Sequence, residues 1–146
     1  MIATPQTVAE LLARLMQACY RSSSPELVRL LGELSLSFTQ VKTLHLLRAG
    51  GDVHVTDVAG SLGMSLPAMS RSLDGLVQRG FVERKESEKD RRAKLVRLLP
   101  AGRAVLDEIE QARVSAVEEF TATLTDDERA ALHAALLPIV ERITSP

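Results

Sequence analysis

The sequence predicts a mainly α-helical fold that contains one small β-hairpin. Apolar residues recur at steps of three and four residues over most of the 146 positions, as in amphipathic helices. Strand-like alternation is confined to residues 81–85 and 93–99. With 45% hydrophobic residues, 3% aromatic residues and no tryptophan, the core must consist mainly of aliphatic side chains. We therefore expect residues 1–146 to form one α-rich globular domain.

Two helices are predicted before residue 35. Thr4 and Pro5 are typical of an N-cap and a first helical position, and the apolar stripe that follows ends at Cys19. Residues 22–25 interrupt this helix, and Ser24 with Pro25 begins a second, leucine-rich helix.

A third helix and a short strand come next. Thr39 is the predicted N-cap of the helix, which ends at Gly50 and Gly51 because glycine favours the left-handed conformation found after helices. Residues 53–55 are too few to form a sheet alone, so we expect them to add a third strand to the later hairpin.

Residues 56–80 carry the pattern of a helix-turn-helix. Thr56 or Asp57 is expected to cap the first helix, and Gly63 is expected to end it at the turn. Such a motif indicates a protein that binds DNA.

The second helix of this motif is the candidate recognition helix. Ser65 is its predicted N-cap, Pro67 is tolerated in the first turn, and Gly80 ends the helix. Met64 and Met69 are assigned to the core by helix-turn-helix geometry.

The hairpin of residues 81–99, called the wing below, follows directly. Its tip, residues 86–94, is crowded with charged side chains. Pro100 and Gly102 then open a long helix, and residues 125–128 form a capping box for a final helix.

The helices at both ends are amphipathic, and the small central part cannot cover all of their apolar residues. We expect residues 37–99 to be a winged helix-turn-helix and residues 1–36 and 100–146 to form dimerisation helices. Since most soluble oligomers are symmetric homodimers, two copies would face a roughly palindromic DNA site.

The net charge of −1 conceals an asymmetry along the chain. Residues 66–97 hold nine basic and five acidic side chains, a net charge of +4, so the remainder carries −5. This segregation would focus a positive field on one surface and favours nucleic acid as a partner. The simpler interpretation is a solvated, charged hairpin.

The order of these elements resembles the multiple antibiotic resistance regulator (MarR) family of winged-helix transcription factors. The motifs that carry the resemblance are Leu62–Ser65, Met69–Val77, Gly80–Arg84, Asp90–Arg92 and Val96–Leu98, followed by Gly102. The resemblance implies a homodimeric, sequence-specific regulator of transcription that binds double-stranded DNA. It further implies a repressor that a small phenolic or other anionic effector releases from its operator.

The resemblance also implies roles for individual residues. The groove-facing side of the recognition helix would carry Ser65, Pro67, Ala68, Ser70 and Arg71. Arg92 would enter the minor groove, where a narrow groove attracts arginine, while Arg91 and Lys94 add positive charge to the wing. Asp90 would hold the wing rather than touch DNA, because phosphates repel a carboxylate.

Two alternatives remain open from the sequence. Some members of the family respond to oxidation of a cysteine in the first helix, and Cys19 lies there, although a small buried side chain suits its place in the apolar stripe. A winged helix that only contacts an acidic protein partner is the second alternative, and steep salt dependence of duplex binding would exclude it.

Other classes of protein lack support in the sequence. The three histidines lie on separate elements without metal-ligand spacing, and no nucleophile has an evident base, so we expect neither an enzyme nor a metal or other cofactor. The sequence contains no apolar run of membrane-spanning length and no signal-peptide pattern. We therefore expect a cytoplasmic protein that does not contact a membrane.

Overall fold

A computed structural model describes residues 3–22, 25–88 and 93–145 of the chain. These ranges form a mainly helical structure with one small antiparallel sheet, as predicted. The elements are α1 (Pro5–Ser22), α2 (Pro25–Leu34), α3 (Phe38–Arg48), β1 (Val53–His54), α4 (Val55–Ser61), α5 (Leu66–Gln78), β2 (Val82–Glu86), β3 (Lys94–Leu98), α6 (Pro100–Thr121) and α7 (Asp126–Thr144).

The sheet has the order β1-β3-β2, with all neighbours antiparallel. Val53 is opposite Val96, and Arg84 is opposite Val96 from the other side. A third strand is therefore confirmed at residues 53 and 54 of the predicted range 53–55, whereas Val55 begins α4. This strand pairs with the second strand of the wing.

The two helices of the helix-turn-helix end in the same way. Gly63 follows α4 with φ +63° and Gly80 follows α5 with φ +70°, a conformation that costs glycine little. The next residue in each case, Met64 or Phe81, donates its backbone N–H to a carbonyl in the last turn of the helix, at 2.9 and 3.0 Å. This is the Schellman arrangement, and it confirms both glycines as helix ends.

Side-chain caps settle the starts of two helices. The Ser65 hydroxyl accepts a hydrogen bond from the Ala68 N–H, so the predicted cap of α5 is confirmed. The prediction of Thr39 for α3 is wrong. Ser37 caps this helix, because Gln40 three residues later completes a capping box with it.

The predicted cap of α4, Thr56 or Asp57, is also wrong. The N-cap is His54, which has extended backbone angles and makes no side-chain capping bond. His54 also pairs with Leu95 in the sheet, so strand pairing holds the backbone extended up to the first helical residue. Asp57 lies in the first turn, where its charge complements the helix dipole.

The structure divides into two compact units, residues 30–111 and residues 1–29 with 112–146. The first unit is wider than the predicted winged part, residues 37–99. Its core lies between α3, α4, α5, the sheet and the start of α6. The buried apolar side chains are Val41, Leu44, Leu47, Val58, Ala59, Met69, Leu73, Leu76, Phe81, Val82, Val96, Val105, Leu106 and Ile109. Met64 packs against this core.

The second unit contains α1, the end of α6 and α7. A capping box between Thr125 and Glu128 starts α7, as predicted, and the helix continues through Pro138. Large apolar side chains stay exposed on all three helices: Val8, Leu11, Leu12, Met16, Tyr20, Val114, Val117, Leu136, Leu137, Ile139, Val140 and Ile143. None of the helices in the described ranges is both long and apolar enough to cross a bilayer.

Gly102 offers a test of how tightly α6 joins the wing. A Cβ atom at this position would overlap the carbonyl oxygen of Phe81 and lie 2.7 Å from Leu98 Cδ1. We expect Gly102→Ala to destabilise the protein by about 1–3 kcal/mol, as over-packing does. Gly60→Ala is the matched control in α4, because a Cβ atom there meets nothing within 4 Å. Thermal or urea unfolding would measure both, and equal midpoints would contradict the prediction.

Candidate nucleic-acid interface

The outer surface of α5 carries the predicted groove-facing residues. Ser65, Pro67 and Arg71 are exposed, whereas Ala68 and Ser70 are half-buried. Met69, on the other side of the helix, is fully buried. The helix therefore presents small side chains and one arginine outward, which allows a close approach to base edges.

Arg71 is the only basic residue of α5. Within the part of the chain that the structure describes, it forms no ion pair. Asp74, three residues later on the same helix, binds Arg84 instead, with Arg84 Nη1 and Asp74 Oδ1 2.7 Å apart. The guanidinium of Arg71 is therefore available to a phosphate or a guanine.

Arg84 of β2 links the wing to the recognition helix. Its Nη2 donates to the Ser70 carbonyl oxygen at 2.7 Å and to the Ser70 hydroxyl at 3.3 Å. The guanidinium also binds Asp74, so it contacts two residues that lie one turn apart on α5. Sequence reasoning did not assign Arg84 a role. The available signal was the alternation of β2, which places Arg84 on the same face as the buried Val82.

The remaining described cations of the wing strands are paired with carboxylates. Lys94 contacts Glu86 at 2.9 Å, and Arg97 donates from Nε to Glu83 at 2.9 Å. Lys85 lies 3.3 Å from the same Glu83 carboxylate. The positive charge counted along residues 66–97 is therefore partly neutralised within the sheet.

These pairs keep both carboxylates ionised. The hydrogen bond from Arg97 holds the pKa of Glu83 below its ordinary value, and the bond from Lys94 does the same for the pKa of Glu86. At neutral pH the two carboxylates therefore offset only part of the charge of the four cations on the wing strands, which keep a net charge of +2.

Three predicted wing residues, Asp90, Arg91 and Arg92, lie outside the described residues. Cys19 lies on α1, in the other compact unit, and is half-buried.

Ser65, Pro67, Ala68, Ser70 and Arg71 are thus brought together on one helix, with Lys94 on the neighbouring wing. Within the described residues no cluster of His, Cys, Asp and Glu could hold a metal ion.

A second polar contact fixes α5 from the opposite side. The Gln40 side chain, part of the capping box of α3, donates to the Ser72 carbonyl oxygen at 3.3 Å. A Cβ atom on Gly75 would lie 2.9 Å from the Gln40 amide nitrogen, so glycine leaves room for this contact. The recognition helix is therefore held by α3 on one side and by the wing on the other.

The fold and this surface define a winged helix-turn-helix protein of the kind that binds DNA and regulates transcription. A family model described as MarR family matches residues 34–93. The multiple antibiotic resistance protein MarR of Salmonella typhimurium is 32% identical over 130 residues, which are 88% of this chain and 90% of that protein. The MarR protein of Escherichia coli is 31% identical over 122 residues, 83% and 85% of the two chains.

Solved structures agree with this relationship. The crystal structure of apo MarR from E. coli has a TM-score of 0.67 at 28% identity, and the alignment covers 95% of this chain and 98% of the MarR chain. A mutant of S. aureus MepR bound to an oligodeoxyribonucleotide has the same fold, with a TM-score of 0.67 at 17% identity and coverage of 98% and 100%. The chain belongs to the MarR family, whose members are transcriptional regulators and not enzymes.

Proposed function

We propose that this regulator is a homodimeric repressor that binds a pseudo-palindromic operator and leaves it when a small anionic effector binds. The observation that carries the proposal is the exposed face of α5, with Arg71 unpaired among the described residues and small side chains around it. The DNA-bound structure of MepR, a protein of the same fold, supports DNA as the partner.

In this proposal the two parts of the interface have different tasks. Arg71 lies in the major groove and contacts a guanine or a phosphate, while Ser65 and Ser70 offer hydroxyl groups. Arg92 enters the minor groove. Arg91 and Lys94 contribute charge near the backbone, and Asp90 holds the wing tip, as the family resemblance implies.

The exposed apolar side chains of α1, α6 and α7 support a second copy of the chain as the partner. Val140 and Ile143 are 46% and 64% exposed, and Leu11 is 60% exposed. So many large apolar side chains on one compact unit exceed what a monomer usually leaves to water. A symmetric dimer would cover them and place two copies of α5 on the two halves of the operator.

A cavity of about 370 Å³ between α5 and the wing supports a small anion as the effector. Three cations and one carboxylate are among the residues that line it. The lining residues are Val55, Ser70, Arg84, Lys85, Glu86 and Lys94. Its size suits a compound with one aromatic ring, and the cations would attract a carboxylate. An anion there would compete with the carboxylates that now hold these cations.

DNA recognition is tested by selecting an operator from a random library and measuring affinity by fluorescence anisotropy at several salt concentrations. Arg71→Ala should relax base preference, at a cost of about 1–3 kcal/mol on the selected site. Arg92→Ala should weaken binding by about 1–3 kcal/mol, most strongly on operators with a narrow minor groove at the wing, and lower the salt slope by about 1. Arg113→Ala, an exposed arginine of α6, is the control. A wild-type protein without sequence preference would refute the proposal and favour a protein partner.

Dimerisation is tested by placing a charge on the exposed apolar side of α7. Ile143→Glu should raise the dimer dissociation constant at least about 100-fold, because a carboxylate would be buried without a partner. Ala134→Glu is the control, since it is exposed and lies on the opposite side of the helix by its spacing. Analytical ultracentrifugation distinguishes the two, and a wild-type monomer at micromolar concentration would contradict the prediction.

Effector release is tested with a matched pair of probes, benzoate and benzamide, which differ mainly in charge. Benzoate should dissociate the operator complex, whereas benzamide should leave it intact. Lys94→Gln, which removes a lining cation on the same sheet face as Arg84, should raise the benzoate concentration for half-release several-fold when the variants are compared at equal initial occupancy of the operator. Equal release by both probes would show that charge does not select the effector.

A further inference from the structure

One guanidinium connects the wing to the recognition helix in this chain. Arg84 is held by Asp74 through Nη1 at 2.7 Å and by the Ser70 carbonyl through Nη2 at 2.7 Å. Asp74 follows Ser70 by four residues, so the two acceptors lie one above the other on the same side of α5. A planar, forked donor can hold both acceptors at once, and a lysine ammonium cannot match this geometry.

The sheet register explains why Arg84, rather than Lys85 or Arg97, makes this contact. Arg84 is opposite the buried Val96, on the sheet face that packs toward the core. Lys85 and Arg97 occupy the alternate positions of their strands and so project from the other face. The Arg84 side chain is accordingly only 29% exposed, although it is charged.

The contact also affects the hydroxyl of Ser70. Arg84 Nη2 lies 3.3 Å from Ser70 Oγ, and a guanidinium can only donate. The oxygen therefore accepts, and its one O–H remains to donate elsewhere. In the major groove the matching acceptors are N7 and O6 of guanine, N7 of adenine and O4 of thymine.

We propose that Arg84 is a positioning residue for sequence recognition, which fixes α5 against the wing and leaves the Ser70 hydroxyl to donate to an acceptor on a base edge. The proposal rests on the proposed function, because it needs an operator bound by α5. Arg84 itself does not contact DNA in this arrangement. Its effect on base preference is transmitted by Ser70.

The experiment compares base preference and affinity for operators selected with the wild-type protein. Ser70→Ala should relax the preference at one base pair of each half-site. Arg84→Lys, which keeps the charge and loses the fork, should relax it at the same base pair and weaken binding about tenfold. In the Ser70→Ala background, Arg84→Lys should cause no further change of preference at that base pair, because the hydroxyl that transmits the effect is already absent.

The salt dependence separates positioning from direct contact. Arg84→Gln removes a charge, yet the slope of affinity against salt should stay at the wild-type value, whereas loss of a phosphate contact would lower it by about 0.9. Arg97→Lys is the matched control, since Arg97 is also paired with a carboxylate of the sheet but projects from the other face. It should keep both affinity and base preference.

Asp74→Asn provides a second variant in case the Arg84 variants do not fold. It keeps the size of the side chain, removes the charge that holds Arg84, and should relax the same base pair. Wild-type base preference in both Arg84→Lys and Asp74→Asn would overturn the proposal. A lowered salt slope in Arg84→Gln would also overturn it, as would a further change of base preference when Arg84→Lys is added to Ser70→Ala. If the wild-type protein selects no operator, the proposed function itself fails, so the two failures are distinguishable.

Discussion

The burial of one face of α5 is the constraint on which the rest of the structure depends. Met69, Leu73 and Leu76 follow one another at steps of four and three residues, and all three are fully buried. A helix turns by about 100° per residue, so fixing these side chains in the core also fixes what faces outward. Arg71, two residues after Met69, is presented to solvent as a direct consequence. The exposed surface is therefore determined by the core beneath it.

The ends of α4 and α5 convert this local constraint into a fixed arrangement of elements. Gly63 and Gly80 reverse the chain within one residue, and the residue after each glycine returns at once to the interior. The helix-turn-helix angle and the start of the wing thus depend on backbone hydrogen bonds rather than on long loops. Gly102, packed over Phe81, joins α6 to the same point.

Features coded within a few neighbouring residues could be predicted from the sequence, and features set by distant partners could not. Ser65, Gly63 and Gly80 act on their own helix ends and were predicted correctly. Ser37 was missed, although Gln40 three residues later was a local signal for it. The cap of α4 could not be found locally, because pairing of β1 with β3, some forty residues away, keeps His54 extended.

The charge pattern shows the same limit. A count along the sequence identifies a basic segment, but it does not reveal which cations are already paired. Lys94 and Arg97 meet carboxylates across the hairpin, and Arg84 meets Asp74 only because the wing folds back onto α5. The sequence thus located the recognition helix and missed the residue that ties it to the wing.

The position of Arg84 gives the proposed effector a direct route to DNA binding. The guanidinium lines the cavity between α5 and the wing, and it also holds Ser70 and Asp74. A ligand carboxylate that binds Arg84 must compete with Asp74 for the same donors, so effector and operator favour different arrangements of one side chain. Such coupling is reciprocal. DNA that binds only when Arg84 contacts α5 would lower the affinity for the effector by the same factor by which the effector lowers the affinity for DNA. In the proposed arrangement, one guanidinium therefore connects the effector cavity with the DNA-binding face of α5.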